Sequence, residues 1–311
     1  MRRAAALFLA ASIACGHASN EAVHDSPAPT TCNGHPELCD RAYDRVSFPG
    51  THDAYSNLEE HFVAADQSFP LKRQLEDGVR VLHLEVIQNL PNRDDAYLCH
   101  GVCGLGKQLL ADGLAEVDAF IAAHPNEVVT LLMESSGLPT DTIAAAFATS
   151  GLLKSVHTQT LGTPWPTLGR LIQHRDRVVV LYVDLTSTGG TAFPWLLGRW
   201  AWTWETPWNN VTTADFGRCN VDRGTMGNAL YVVDTYLEDV PLQTAANAAR
   251  VNRNPFLLER LLYCQKSTAT LPNFVMVNYY EVGDVLRDVD VLNGFLPAPA
   301  GVGATPPASF D

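Results

Sequence analysis

Short apolar runs alternate with amphipathic stretches along most of the 311-residue chain. Runs rich in β-branched and aromatic residues predict strands, whereas apolar residues three or four positions apart predict helices. The expected strands span 45–48, 79–86, 97–100, 128–133, 178–184, 230–233 and 274–279. The expected helices span 110–123, 140–153, 168–174, 244–265 and 284–292. Strand and helix therefore alternate through the chain.

This alternation predicts a single parallel sheet. The almost continuous apolar run 128–133 is typical of a strand buried on both faces of a parallel sheet. Seven candidate strands come close to the eight of a (β/α) barrel. A doubly wound sheet fits the same alternation, but the chain has no GxGxxG turn and no linker between two domains. We predict an α/β fold, a single, somewhat irregular TIM-type (β/α) barrel over residues 32–296.

The two ends of the chain differ from this body. Arg2 and Arg3 precede a short apolar run that ends at Cys15, which is typical of an export signal. Ser12 to Cys15 resembles the cleavage box of a bacterial lipoprotein. We expect a signal peptide at 1–15, a linker at 16–31 and a flexible tail at 297–311. The protein is then exported, either secreted or lipid-anchored at the bacterial cell envelope.

Cysteine usage agrees with export. Without Cys15 the chain keeps six cysteines, an even number that suits an oxidising compartment. A zinc site around 99–103 is disfavoured because no second cysteine pair lies nearby. Local spacing suggests disulfides between Cys32 and Cys39 and between Cys99 and Cys103, which leaves Cys219 with Cys264.

Composition narrows the possible partners. A hydrophobic fraction of 46% with 18% charged residues indicates a globular protein, and a net charge of −13 disfavours binding to nucleic acid or to anionic membranes. Contact with lipid must then come from apolar or aromatic groups, and we expect a monomer. A dense tryptophan cluster either forms a rim that enters a lipid interface or stacks on a sugar, or it packs over the barrel mouth. Its members are Trp195, Trp200, Trp202, Trp204 and Trp208.

Candidate chemistry lies at predicted strand ends, where barrel enzymes carry their active sites. His52 stands beside Asp53 after a proline-glycine turn, and His100 ends another strand inside the Cys99–Cys103 pair. Period-two alternation puts His83 and Glu85 on one strand face. A lone strand-end histidine is commonly structural, but two that adjoin glycines, with acids on neighbouring strands, favour catalysis.

These residues belong to a longer ordered pattern. The segments PGTHDAY, QLEDGVRVLHLEV, LCHGVC, HPNEVVTLLME and PNFVMVNYYEVGDV occur in that order. Over residues 32–293 the chain resembles the phosphatidylinositol-specific phospholipase C X-domain superfamily, in its secreted bacterial and fungal branch of phospholipase-C-like phosphodiesterases. The resemblance implies a distorted barrel and two-histidine cleavage of a phosphodiester.

The same resemblance implies roles for individual residues. His52 would be the general base and His100 the general acid, since histidine populates both protonation states near neutral pH. Asp53 would orient His100 or bind a metal. Asn278 matches an aspartate that supports the base in the bacterial enzymes. Because asparagine carries no charge, either the base is weakened and the protein is slow, or an acid near another strand end supplies the charge: Asp184, Glu134 or Asp234.

Glu85 replaces the arginine that neutralises the phosphate in metal-independent relatives. A carboxylate can do this only through a bound cation, so we expect Ca²⁺, with Mg²⁺ second, at Glu85, Asp53 and His83. Substrate contacts are assigned to Arg80, Trp204 and Tyr280.

The predicted function is cleavage of a phospholipid or glycolipid head-group phosphodiester. One alternative is a metal-dependent glycerophosphodiesterase or sphingomyelinase D-like enzyme, although His83 stands where such enzymes have an acid. Another is a surface binding protein with impaired catalysis, which Asn278 supports and the two histidines oppose.

Overall fold

The computed structural model describes residues 27–88, 95–187, 191–238, 244–304 and 306. The expected signal peptide, most of the linker and part of the tail lie outside these residues. The strands are β1 (Phe48–Thr51), β2 (Val81–Gln88), β3 (Ala96–Leu98), β4 (Gln108–Leu109), β5 (Val129–Ser135), β6 (Val178–Asp184), β7 (Leu196–Gly198), β8 (Thr203–Glu205), β9 (Arg223–Gly224), β10 (Leu230–Asp234) and β11 (Pro272–Val277). The α-helices are α1 (Leu71–Glu76), α2 (Leu110–Ala123), α3 (Thr140–Ser150), α4 (Leu168–His174), α5 (Arg199–Trp202), α6 (Ala245–Val251), α7 (Phe256–Thr268) and α8 (Val285–Leu292).

Eight parallel strands form one curled sheet in the order β7-β6-β5-β2-β1-β11-β10-β8. β9 pairs antiparallel with β8, and β3 and β4 extend antiparallel from β2. Within the described ranges no strand ladder joins β7 to β8, so the barrel is irregular there. The predicted irregular TIM-type barrel is confirmed.

Successive side chains along each strand point alternately into the barrel and towards the helices. Val81, at the start of β2, belongs to the apolar cluster inside the sheet, whereas Leu82 and Leu84 pack on the side of the helices. His83 and Glu85 therefore point inward above Val81, as the sequence predicts. The barrel interior is apolar at its lower levels and polar at the carboxyl ends of the strands.

The amino-terminal end of the barrel is closed by the segment before β1. Tyr43 is fully buried, its ring lies 4.7 Å from that of Trp165, and its hydroxyl bonds Thr130 Oγ1 at 2.5 Å. The Cys32–Cys39 disulfide holds the preceding turn in place. A ligand can thus approach the polar levels from the carboxyl end.

Several predicted elements differ from the observed ones. The first strand begins at Phe48, because Tyr43–Arg45 forms a 3₁₀ turn instead. The single helix expected over 244–265 is two helices, α6 and α7, since Pro255 has no N–H to donate to a continuous helix. All three expected disulfides are present. Among the described helices, none is both long and apolar enough to cross a bilayer.

Candidate active site

The carboxyl ends of the parallel strands open into a cavity of about 240 Å³. Acidic, basic and aromatic side chains converge there from eight separate segments of the chain. Its lining comprises His52, Asp53, His83, Glu85, His100, Leu132, Glu134, Leu185, Arg199, Trp208, Arg223, Asp234, Tyr236, Glu238 and Met276.

His52 follows β1 and is held on several sides. Its backbone N–H donates to the carbonyl of Val277 at 3.0 Å, which extends the pairing with β11. Its Nδ1 lies 3.0 Å from Asn278 Oδ1, and its ring stacks on Tyr236 with centroids 4.0 Å apart. Burial lowers the pKa of His52 to about 4. The ring is therefore neutral at neutral pH and can accept a proton.

Asp53 lies between the two predicted catalytic histidines. Its Oδ2 is 3.7 Å from His52 Nε2 and 3.9 Å from His100 Nε2, both beyond hydrogen-bond length. Burial by itself would raise the pKa of Asp53, but His52, His83 and His100 outweigh it and hold the pKa below its usual range. Asp53 thus stays ionised beside both rings.

His100 reaches the cavity from the tight ring that the Cys99–Cys103 disulfide closes after β3. Gly101 has φ +58°, a backbone conformation that side chains with a Cβ rarely adopt and that this short ring requires. The His100 side chain is 61% exposed, against 13% for His52. The more exposed histidine lies on the solvent side of the cavity.

His83 is a buried cation. Its Nδ1 lies 3.1 Å from Asp53 Oδ1 and its Nε2 3.4 Å from Glu134 Oε2, so a carboxylate faces each ring nitrogen. Burial disfavours the charge, but Glu134 and Asp53 outweigh it and raise the pKa of His83 to about 10. Burial likewise acts against ionised Glu134, yet His83 and Arg199 lower its pKa to about 2.

Two arginines that sequence reasoning missed line the opposite wall. Arg199, from α5, is 3% exposed and contacts Glu134 at 3.3 Å and Glu205 at 2.7 Å. Arg223, from β9, pairs with the other oxygen of Glu205. Both come from elements of at most four residues, in which no periodic pattern could indicate an inward side chain.

The cavity also holds two acidic side chains whose negative charge the nearby cations do not fully neutralise. Burial and the charge of Asp53 raise the pKa of Glu85 to about 7, and burial with the charge of Glu205 raises that of Asp234 to the same value. Ligand atoms of Asp53, Glu85 and His100 lie within 4.8 Å of one another. The expected ligand His83 belongs to a second such group, with His52 and Asp53, although a carboxylate also faces each of its ring nitrogens.

Behind Asn278 lies Asp66, which the sequence did not indicate; burial and the charge of Asp53 raise the pKa of Asp66 well above its usual range, so it offers a hydrogen-bond acceptor rather than a negative charge. Asn278 Nδ2 donates to Asp66 Oδ1 at 3.1 Å, and Asp66 is 2% exposed. Glu134 pairs with His83 instead, and Asp184 accepts the N–H groups of Gly137 and Thr186 in an exposed turn. Asp66 lies in a loop of mixed polarity, so no sequence pattern indicates its contact with a residue 212 positions away.

The structure does not bring the three assigned substrate contacts to the cavity. Arg80 precedes β2, at the opposite end of the barrel, and pairs with Glu127 at 2.7 Å. Trp204 is fully buried and stacks on Tyr231, its neighbour on β10, with centroids 3.7 Å apart. Tyr280 is 3% exposed and donates its hydroxyl to Asp77 at 2.7 Å.

The tryptophan cluster is mainly a packing feature. Trp195, Trp202 and Trp204 are buried, and Trp200 is half-buried under Arg199 and Arg223. Trp208 is 38% exposed and lines the cavity. Of the five, Trp208 is therefore the one that fits a rim role best.

A curled parallel β/α sheet that carries paired histidines at its open end defines a phospholipase C-like protein. The chain belongs to the PI-PLC X domain family, whose model (PI-PLC X 1) matches residues 38–293. A PI-PLC X domain-containing protein 1 of the fungus Arthroderma benhamiae is 31% identical, over 85% of this chain and 89% of the relative. An uncharacterized secreted protein of the same fungus is 26% identical, over 87% of this chain and 65% of that protein.

Solved structures share the fold. The phosphatidylinositol-specific phospholipase C of Listeria monocytogenes superposes with a TM-score of 0.56 at 15% identity, covering 82% of this chain and 95% of that one. The F249X mutant of the Staphylococcus aureus enzyme gives 0.54 at 13% identity, covering 81% and 93%. The family model and the fungal relative thus confirm the predicted family, and the solved structures confirm the fold.

Proposed function

We propose that the protein is an exported phosphodiesterase of phospholipase C type, which cleaves the head-group phosphodiester of a phospholipid or glycolipid. The observation that carries this proposal is the placement of His52 and His100 on either side of Asp53, both with Nε2 directed at the same carboxylate oxygen. Two imidazoles beside one carboxylate can supply the base and the acid of a transesterification.

His52 is the general base. Asn278 accepts from its Nδ1–H, which leaves the Nε2 lone pair free to take the proton of the attacking hydroxyl. His100, on the exposed side of the cavity, gives its proton to the departing alkoxide. Asp53 stays ionised between the two rings, and its negative charge therefore stabilises the imidazolium form that each ring adopts during the reaction.

The negative phosphate needs compensating charge, and three cations provide it. His83, Arg199 and Arg223 line the cavity, and each is fixed by carboxylates before substrate arrives. Charges that are oriented in advance stabilise the transition state without reorganisation. Cations from other elements thus take the role of the arginine that metal-independent relatives carry where this chain has Glu85.

A hard divalent ion, Ca²⁺ in preference to Mg²⁺, is proposed at Glu85 and Asp53. The raised pKa of Glu85 supports it, because an acid with too little positive charge nearby gains most from a cation. In this proposal His83 stays paired with Asp53 and Glu134, and water would complete the oxygen shell of the ion. When bound, the ion would neutralise phosphate charge. Isothermal titration with Ca²⁺ should give saturable heat that Glu85→Gln removes.

Export and lipid contact complete the proposal. Three disulfides are stable in an oxidising compartment, and the secreted fungal relative supports the same location. The apolar rim, defined as Leu58, Val63, Val102 and Leu105, is exposed beside His100 and offers contact with a membrane surface. We propose a monomer that binds lipid transiently and does not bind nucleic acid.

A substrate panel tests the function. Phosphatidylinositol, a lysophospholipid and an aryl phosphodiester are incubated with the protein, with and without Ca²⁺, and the phosphorus products are identified by ³¹P NMR. A cyclic phosphodiester from attack by a neighbouring hydroxyl supports the proposal. A monoester formed by direct water attack would instead indicate the glycerophosphodiesterase alternative. If no member of the panel is cleaved, the result would favour the alternative of a surface binding protein with impaired catalysis.

A further inference from the structure

We propose that Asp66 is a positioning residue that sets the tautomer of His52 by orienting the side-chain amide of Asn278. The inference rests on the proposed function, in which His52 is the base. Three side chains form one chain of hydrogen bonds: His52 Nδ1 to Asn278 Oδ1 at 3.0 Å, and Asn278 Nδ2 to Asp66 Oδ1 at 3.1 Å.

An asparagine by itself would leave the tautomer undecided. Its amide presents either an acceptor oxygen or a donor NH₂ to a neighbouring ring, and the two orientations have nearly the same shape. If NH₂ faced His52, Nδ1 would have to accept, and the proton would sit on Nε2. His52 could then not act as a base towards the cavity.

Asp66 removes this ambiguity. Its Oδ1 accepts the NH₂ group of Asn278, so the amide oxygen must face His52 and Nδ1 must carry the proton. His52 Nδ1 itself is 3.9 Å from Asp66 Oδ1, too far for a direct hydrogen bond. Asp66 therefore acts through Asn278.

The backbone holds both partners rigidly. Asp66 donates its N–H to the carbonyl of Ser56 at 3.0 Å and accepts from the N–H of Tyr279 at 2.9 Å, which joins it to the residue after Asn278. The carbonyl of Asn278 accepts from Asn252 Nδ2 at 2.7 Å. Both ends of the relay are thereby fixed before substrate binds.

A single and a double variant, which exchange the acid and the amide of the relay, test the proposal. Asp66→Asn keeps the size of the side chain, but the two adjacent amides can then pair in either orientation. We therefore expect kcat to fall about 10–100-fold with KM nearly unchanged. Adding Asn278→Asp to Asp66→Asn restores a strict acceptor against His52 and a donor behind it. The double variant should recover most of the lost kcat.

A measurement independent of turnover separates this inference from the proposed function. Two-bond ¹H–¹⁵N NMR of the imidazoles, with His52 assigned by comparison with His52→Gln, should show the Nδ1–H tautomer in the unmodified protein at neutral pH. Asp66→Asn should give a mixture of tautomers. An Nε2–H ring in the unmodified protein, an unchanged tautomer in Asp66→Asn, or a double variant no better than Asp66→Asn would overturn the proposal. Absence of turnover with the expected tautomers would count against the proposed function alone.

Discussion

At the scale of single residues, the cavity is a set of charges that compensate one another. His83 is central because it neutralises Asp53 on one side and Glu134 on the other. Removal of one member of a buried charged set leaves its partners unpaired in a medium that solvates them poorly, which costs more than the interaction itself is worth.

The variant His83→Gln tests this role. Glutamine can donate to one carboxylate but carries no charge, so Asp53 and Glu134 should repel each other and the substrate phosphate. We expect a loss of about 3–5 kcal/mol in the free energy of unfolding, measured with urea, and a fall in turnover of at least about 100-fold. His124→Gln, on the exposed end of α2, is the matched control and should change neither quantity appreciably.

Asp288 predicts a pH dependence of stability away from the cavity. This residue of α8 is fully buried, and burial raises its pKa from 3.8 to about 7, although Asn254 donates to Oδ1. The folded chain therefore binds this proton more tightly than the unfolded chain. Its contribution is fully present below pH 4 and is lost as the pH rises to about 7.

Asp288→Asn should remove that slope. We compare the free energy of unfolding of the variant with that of the unmodified protein. The difference should grow in favour of the variant by about 2–4 kcal/mol between pH 5 and pH 8, because only the unmodified protein must bury a carboxylate at the higher pH. Glu37→Gln, at an exposed position, serves as the control. Parallel curves for the parent and Asp288→Asn would contradict the account.

At the scale of elements, the barrel delivers residues that are distant in sequence to one cavity. His52, Asp53 and His100 could be predicted because they end recognisable strands. Arg199, Arg223 and Asp66 could not, because they come from short elements or loops whose placement depends on the closed sheet. Tyr236 carried a usable signal, since it is the second residue after strand β10. Strands β7 and β8 have three residues each, too few for any periodicity to register.

Removal of each of two disulfides should distinguish an effect on the position of His100 from an effect on the stability of the fold. The Cys99–Cys103 bond closes a separation of 4 residues around His100, whereas Cys219–Cys264 closes one of 45. Loop-closure entropy predicts stabilisation of about 2 kcal/mol for the first and about 4 kcal/mol for the second.

We expect the double variant Cys99→Ser/Cys103→Ser to lose most of its turnover with a small change in unfolding free energy. Cys219→Ser/Cys264→Ser should show the reverse, with turnover largely kept below its lowered melting temperature. Kinetics and urea unfolding on both variants measure the contrast. Equal losses of turnover in the two would show that the tight ring does not position His100.

At the scale of the whole molecule, net charge and apolar surface act in opposite directions. The charge of −13 repels anionic lipid, whereas the apolar rim adjoins the Cys99–Cys103 ring that carries His100. The N–H of Val63 donates to the carbonyl of Leu105 at 2.7 Å and joins the two loops of the rim into one surface. Binding to membranes should therefore depend on apolar contact.

Vesicle sedimentation tests this expectation. The protein should bind zwitterionic vesicles at least as well as anionic ones, with little weakening as salt rises from 0.1 to 0.5 M, values at which simple charge attraction would be screened. Val102→Asp should reduce binding about tenfold. Leu161→Asp is the matched control, because Leu161 is 64% exposed beside Trp165 at the closed end of the barrel. Equal losses in the two variants would rule out a specific rim.

The central claim, that His52 is the base and His100 the acid, is tested most directly by leaving-group dependence. Cleavage rates are measured for an alkyl phosphodiester and for its nitrophenyl counterpart, whose leaving group departs without a proton. His100→Ala should lose at least about 100-fold on the alkyl ester but far less on the nitrophenyl ester, whereas His52→Ala should lose equally on both. Equal losses by His100→Ala on the two esters, or full activity of His52→Ala, would contradict the account.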